Sequence, residues 1–185
     1  MANVDRPNGF TLVKTFSGAP LSALVRTVGV ADGEDIFVGD VINLESGLAD
    51  PGATDDAALL GIAVGFGKVD GDGYPLGPFN PASLETLYYD DSASTHTEWV
   101  CYYVPMVDGV FAVQTNADLD LVVGDACDLV DAAGDEASGR SRQEVGTSTN
   151  ADFLVIELPN IVGNDPALAN AVVYVTATQA EQAFK

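Results

Sequence analysis

The stretch "DIFVGDVINL", Asp35 to Leu44, returns 85 positions later as "DLVVGDACDL", Asp120 to Leu129. Five of the ten aligned residues are identical: the first Asp, the central Val-Gly-Asp and the last Leu. Both copies place a Gly-Asp step inside a strand-rich run, where glycine permits a tight turn or bulge that leads into the next strand. A Val-Gly step follows each copy after some 20 to 25 residues, at Val64-Gly65 and Val145-Gly146. The pattern predicts two similar strand–loop–strand units within one β scaffold.

The rest of the chain also reads as β structure. Short segments rich in Val, Ile, Tyr, Phe and Thr are separated by clusters of Gly, Asp, Pro and Asn. The predicted strands are Thr11–Lys14, Ala23–Val28, Asp35–Leu44, Leu59–Phe66, Glu98–Val104, Val110–Gln114, Leu119–Val130, Asp152–Leu158 and Ala171–Thr178. Short helices are expected only at Asn80–Tyr88 and Asp165–Asn170, with a short helix or a frayed tail at the C-terminus. We therefore predict a single all-β domain, a jelly-roll or β-sandwich or a barrel-like fold with long loops.

Size and composition narrow the class of protein further. A chain of 185 residues with 47% hydrophobic residues can bury a real core. No apolar run approaches the roughly 20 residues that cross a bilayer, and the N-terminus shows no secretory signal. A cytosolic site of synthesis is expected. Cys101 and Cys127 therefore read as buried free thiols rather than as a disulfide.

Charge is the most pronounced compositional feature. The chain has 28 acidic and seven basic residues, a net charge of −21. Residues 1–31 carry three bases against the single acid Asp5, a net +2, whereas residues 32–185 carry four bases against 27 acids, a net −23. Nucleic acid is excluded as a partner, because its binding depends on Lys and Arg that displace counterions. We accordingly divide the chain into a leading segment, 1–31, and an acidic β-domain, 32–185.

Motifs that would carry catalysis or bind a cofactor are not found. "DGDGY", Asp70 to Tyr74, begins like a calcium loop, but the twelfth position, where an EF-hand needs an acid, is Pro81. Neither a G-x-S-x-G elbow near the lone His96 nor a Gly-rich phosphate loop is present. The acidic pairs in "TDD" and "YDD", at positions 54–56 and 89–91, read as solvated charge. We predict no enzyme, no cofactor and no metal site.

The aromatic residues leave a second binding function open. Trp99 and the tyrosines Tyr88, Tyr89, Tyr102 and Tyr103 could stack on sugars in a glycan-binding module. In a protein with two packed sheets, both faces of the segment "EWVCYYV" are readily buried, so core packing is the favoured interpretation.

The N-terminal pattern resembles a known family. "MANVDRPNGFTLVKTFSGAP" reduces to Pro7-x-Gly9-Phe10-x-x-Val13 followed by Gly18-x-Pro20, and "VGDVINL", "LGIAVGF", "VFAVQT" and "GRS" follow in order. This is similar to the capsid decoration, or cement, proteins of tailed bacteriophages. The Asp-rich loop at 67–82 and the extreme acidity depart from the pattern.

The resemblance implies a virion structural protein, made in the host cytoplasm and seated on the outer surface of the head where capsomers meet. Its partners would be the major capsid protein and further copies of itself, as a homotrimer. The docking residues implied by the leading segment are Arg6, Pro7, Phe10, Lys14, Phe16 and Arg26. The segment could be a free docking arm or the first strands of the fold. A tail, fibre or baseplate component is the alternative within the same class.

Overall fold

The computed structural model describes residues 3–54, 58–70, 72, 75–76 and 88–178. These residues form an all-β fold in which antiparallel sheets pack in a sandwich-like arrangement and none closes into a barrel. The strands are β1 Thr11–Thr15, β2 Arg26–Gly29, β3 Ile36–Phe37, β4 Val41–Glu45, β5 Leu48–Pro51, β6 Gly61–Lys68, β7 Tyr88–Tyr89, β8 Trp99–Pro105, β9 Gly109–Gln114, β10 Ala126–Val130, β11 Glu144–Thr147, β12 Phe153–Glu157 and β13 Val172–Ala177. Helical structure in the described residues is limited to α1, Leu21–Leu24, and a 3₁₀ turn at His96–Glu98. The predicted fold class is confirmed in its sandwich form.

Two large sheets share one strand order. The first runs β2-β8-β6-β4-β5, and the second runs β9-β13-β12-β10-β11 with β1 added at the edge beside β9. Replacing β2, β4, β5, β6 and β8 of the first half by β9, β10, β11, β12 and β13 of the second reproduces every pairing. The chain is therefore built as two five-stranded halves of the same topology.

The halves agree in register as well as in order. Strands β6 and β12 each carry a bulge at the corresponding place, where one residue has no partner on the neighbouring strand. The pairs that flank the bulge are Ala63–Tyr103 and Gly65–Tyr102 in the first half, and Val155–Val175 and Glu157–Tyr174 in the second. A shift by one residue would turn every side chain to the opposite face of the sheet. A bulge at the same place in β6 and β12 therefore shows that the two strands are equivalent residue by residue. The predicted internal repeat is confirmed.

The repeated phrase forms the same turn twice. The amide of Asp40 donates to the carbonyl of Phe37 at 3.0 Å, and the amide of Asp125 donates to that of Val122 at 3.1 Å. Both turns have a glycine with positive φ in the third position, +99° at Gly39 and +102° at Gly124. The Asp carboxylate then accepts the amide of the first turn residue, at 2.7 Å in the first copy and 2.8 Å in the second. The prediction of a Gly-Asp turn is confirmed.

The Val-Gly steps proved to be a false equivalence. Val64-Gly65 lies in β6, whereas Val145-Gly146 lies in β11, the counterpart of β5. The true counterpart of β6 is β12, and its sequence "FLVIE" has no Val-Gly step. The strand register is set by the position of the bulge and by which side chains face the core. Neither condition requires the same dipeptide in both halves.

Several predicted elements need correction. Ala23–Val28 is divided between α1 and β2, and the long strands predicted at Asp35–Leu44 and Leu119–Val130 are interrupted by the Gly-Asp turns. Residues 165–170 form turns instead of a helix, because the buried Asn3 side chain binds the carbonyls of Asp165, Leu168 and Ala169 and accepts the amide of Asp165. Residues 80–87 of the other predicted helix and the tail 179–185 lie outside the described residues.

In the part of the chain that the structure describes, the core consists of two clusters of buried side chains. The smaller fills the first half and includes Ile36, Ile42, Phe66, Trp99 and Tyr103. The larger fills the second half with residues such as Phe111, Phe153 and Val175, and it also takes in Val41, Ile62 and Val104 from the first half. One face of the first half therefore packs into the interior of the second.

Candidate docking surface

The leading segment contributes a strand to each of the two large sheets, at Thr11–Thr15 and Arg26–Gly29. Strand β1 pairs with β9 of the second half, and β2 pairs with β8 of the first. Residues 11–15 and 26–29 of the segment are thus strands of the fold, and the six predicted docking residues are distributed over different parts of the molecule.

Phe10 corrects the predicted docking set. Its side chain is only 2% exposed, and its ring lies 4.9 Å from that of Phe153. Its amide donates to the carbonyl of Gly39 at 2.8 Å, which holds the leading segment on the first Gly-Asp turn. As a buried core residue, Phe10 is not available as an apolar surface anchor. The sequence shows that a phenylalanine is present but not which strand will cover it.

Lys14 and Arg26 are exposed but separate. Lys14 on β1 is paired with Glu157 at 2.9 Å, so its charge is already compensated within the chain. Arg26 lies on the edge strand β2, on the other sheet, opposite Tyr103. Lys14 and Arg26 therefore lie on strands of different sheets.

Phe16 does present an apolar anchor. Its side chain is 65% exposed, and its amide donates to the carbonyl of Asp108 at 3.0 Å, which holds it against the β8–β9 turn. Val13 on β1, Leu21 at the start of α1 and Val107 in the turn are exposed as well. We call Val13, Phe16, Leu21 and Val107 the apolar corner. Sequence reasoning found Phe16 and missed the others, because nothing in the local pattern places the β8–β9 turn beside residue 16.

Arg6 and Pro7 line a cleft that sequence reasoning also missed. Its volume is about 650 Å³, and three of the seven basic residues of the chain, Arg6, Arg140 and Arg142, surround it. The full lining, which we call the arginine cleft, is Asp5, Arg6, Pro7, Asn8, Asp135, Ser138, Arg140 and Arg142. Its two sides come from segments more than 120 residues apart in sequence, so only the fold brings these cations together.

A second cavity, of about 420 Å³, has the opposite character. Six carboxylate side chains contribute to its wall, and none of its lining residues is basic. They are Glu34, Asp35, Asp40, Asp91, Asp131 and Glu136. Asp40, the aspartate of the first Gly-Asp turn, is 3% exposed, and burial raises its pKa to about 7 against the hydrogen bonds from Ser141 and the Phe37 amide.

Asp40 makes the stability of the protein depend on pH. Because its folded pKa lies above its unfolded value of 3.8, the folded state binds the extra proton, and stability falls as pH rises toward 7. We expect unfolding free energy to drop by on the order of 2 kcal/mol between pH 5 and pH 8 from this group. Asp40→Asn keeps an oxygen for the Phe37 amide and should remove this slope, as urea midpoints measured at each pH will show. Asp125→Asn, the same change at the half-exposed counterpart in the second half, should leave the pH dependence of stability unchanged. If wild type and Asp40→Asn lose the same stability between pH 5 and pH 8, the pH dependence does not come from Asp40.

The described residues offer little nucleophilic chemistry. Cys101 and Cys127 are free and buried, as predicted, and burial raises the pKa of both thiols, that of Cys127 to about 12. His96 Nδ1 lies 3.3 Å from an exposed carboxylate of Asp32, and no serine hydroxyl of the described chain is bonded to the imidazole. No set of three or more His, Cys, Asp or Glu in this part of the chain is arranged to hold a metal ion. Asp55, Asp56 and most of the loop 70–74 lie outside the described residues.

The aromatic side chains proposed for sugar stacking belong mainly to the interior. Trp99, Tyr89, Tyr102 and Tyr103 are buried, and Lys68 covers the Trp99 ring at 5.3 Å. Tyr88 is half-buried and stacks on Phe37. The core interpretation of these residues is confirmed, and they form no exposed platform on which a sugar could stack.

Comparison with known proteins assigns no relative. No family model matches the chain, and neither a curated protein nor a solved structure shows significant similarity to it. In the described residues, no helix has the length and apolar character that crossing a bilayer needs.

Proposed function

We propose that this protein is a capsid decoration protein that attaches to the outer surface of a tailed-phage head through its less acidic leading segment, as a homotrimer. The observation that carries the proposal is the apolar corner, a group of exposed apolar side chains in a strongly acidic protein, three of whose four members lie within residues 1–31. An exposed aromatic residue such as Phe16 is the kind of anchor that dominates protein interfaces.

The distribution of charge supports the same orientation. The leading segment carries a net +2 and the remaining chain a net −23, so an acidic partner is repelled least where the leading segment itself forms the surface. A rigid, duplicated β scaffold suits a protein that stiffens a shell. Three copies held together would each contribute a weak contact, and linkage raises their joint affinity through effective concentration.

A tail, fibre or baseplate component would use the same kind of surface. Electron microscopy of virions labelled for this protein separates the two proposals, because head decoration requires many copies distributed over the shell.

Phe16→Asp is expected to weaken binding to undecorated heads about thirtyfold, equivalent to about 2 kcal/mol, because it places a charge in the apolar anchor. The fold should be unaffected, since the side chain is exposed. Val162→Asp, at a fully exposed valine in another loop, is the matched control and should bind as wild type does. The measurement is co-sedimentation of purified protein with heads over a concentration series. Wild-type protein that stays in the supernatant would refute the proposed function.

A further inference from the structure

The arginine cleft is formed by an insertion that the duplicated scaffold does not need. In the first half, β4 and β5 are joined by Ser46 and Gly47 alone, whereas in the second half β10 and β11 are joined by residues 131–143. Two of the seven basic residues of the chain, Arg140 and Arg142, lie in this insertion. A thirteen-residue connection where two residues suffice requires an explanation beyond the fold.

The insertion is firmly held. Val38 donates to the carbonyl of Gly139 at 3.1 Å and accepts the amide of Ser141 at 2.9 Å. The buried Gln143 side chain accepts the amide of Val41 at 2.7 Å and donates to the carbonyl of Gly52 at 3.0 Å. Because residues alternate along this extended stretch, Ser141 and Gln143 face inward while Arg140 and Arg142 face solvent. The two guanidinium groups are thus presented from a fixed backbone beside Arg6.

The charges in the cleft are largely uncompensated. Asp135 accepts the amide of Ala137 and the hydroxyl of Ser138, and it lies 3.8 Å from Arg142, at the limit of an ion pair. Within the described residues, no carboxylate oxygen lies within 4.0 Å of the guanidinium of Arg6 or Arg140. In a chain with 28 acidic residues, three arginines gathered with so little internal pairing leave donors free for an external anion.

The chemistry of the cleft selects the type of anion. A guanidinium group matches a carboxylate with two parallel hydrogen bonds, and fixed backbones reduce the entropy lost on binding. Asp5 and Asp135 in the lining reduce the local charge to a net +1, which suits one or two carboxylates better than the dense phosphates of nucleic acid. The acidic body around the cleft would repel a long polyanion as well.

We propose that the arginine cleft is a carboxylate-binding site that receives an acidic segment of the protein to which this chain attaches. The identity of the partner as a phage shell protein rests on the proposed function. The affinity of the cleft for carboxylates follows from its own residues and does not depend on that function. The site would add a polar contact at Arg6, Arg140 and Arg142 to the apolar contact at Phe16.

Calorimetric titration of the purified full chain with the probe peptide acetyl-Gly-Asp-Glu-Asp-Gly-amide in low salt tests the cleft directly. We expect binding to wild type, at least a tenfold loss in the double variant Arg140→Gln, Arg142→Gln, and less than a twofold change in Arg26→Gln, Lys68→Gln. The control pair removes the same charge outside the cleft, and far-ultraviolet melting curves verify that both variants fold. The probe with Asn and Gln in place of Asp and Glu should not bind.

Three results would overturn the inference: no binding of the acidic probe to wild type, equal losses in the two double variants, or preferential binding of a short single-stranded DNA. The same variants in the head-binding assay separate the two proposals. If wild type binds the probe but not heads, the proposed function fails and the cleft stands. If Arg140→Gln, Arg142→Gln binds heads as wild type does, the cleft does not contribute to attachment and the inference fails, while the proposed function stands.

Discussion

Replacing Gly39 with alanine is expected to destabilise the protein by about 4 kcal/mol, from backbone strain and overpacking together. Gly39 has a φ of +99°, and a Cβ atom there would lie 2.6 Å from the carbonyl oxygen of Asn8. That oxygen cannot easily move away, because Phe10, two residues later, is held in place. The Phe10 amide donates a hydrogen bond to the Gly39 carbonyl, and the Phe10 side chain is buried in the core. Both the backbone strain and the steric clash therefore raise the free energy of the folded state.

Gly124→Ala is the matched control in the second half. Its φ is +102°, nearly the same, but no atom lies within 4 Å of the added Cβ. Only the strain remains, and we expect a loss of about 1 kcal/mol. Urea denaturation of both variants measures the difference. Equal losses at the two positions would show that the leading segment does not rest on the first turn as described.

Replacing Asp128 with alanine is expected to cost about 4 kcal/mol, because hydrogen bonds to a buried charged group are strong and their loss leaves donors unsatisfied. The carboxylate accepts the Ser148 hydroxyl at 3.1 Å and the amides of Thr149, Asn150 and Ala151, the last at 2.7 Å. This one side chain orders the whole β11–β12 connection.

The pH dependence of this effect distinguishes Asp128 from Asp40. Burial opposes ionisation of Asp128, yet the three amides and the Ser148 hydroxyl outweigh it and hold its pKa below the usual range. Its contribution is therefore complete above the ordinary carboxyl pKa and is lost as pH falls through the folded value. Asp128→Asn should retain part of the stability, and Glu45→Ala, at an exposed acid of β4, should change it little. Unfolding free energies at pH 7 and pH 3 provide the test, and a loss in Asp128→Ala no larger than in Glu45→Ala contradicts it.

The sequence was informative where chemistry is local. The Gly-Asp turns follow from glycine's freedom at positive φ and from the short Asp side chain that bonds back to its own turn. The burial of Trp99 and of the two cysteines follows from apolar strands covered on both faces. In each case the residues that make the prediction possible lie within a few positions of one another.

Prediction failed where the deciding partner is remote. β5 and β11, "LADP" and "EVGT", have little strand propensity of their own and are ordered by pairing with β4 and β10. Phe10 was predicted to be an exposed anchor. Its ring is buried against Phe153, which lies 143 residues later in the chain, and no local pattern predicts that contact. The arginine cleft likewise exists only because the fold places residues 140 and 142 beside residue 6.

The shared core described above has a consequence for cooperativity. Val41, Ile62 and Val104 of the first half complete the cluster that fills the second, so neither half can melt without baring apolar surface on the other. Strand β1 strengthens the coupling, because it precedes the first half in sequence and yet pairs with the second. A chain that is duplicated in architecture should therefore unfold as one unit, with no stable half-molecule along the way.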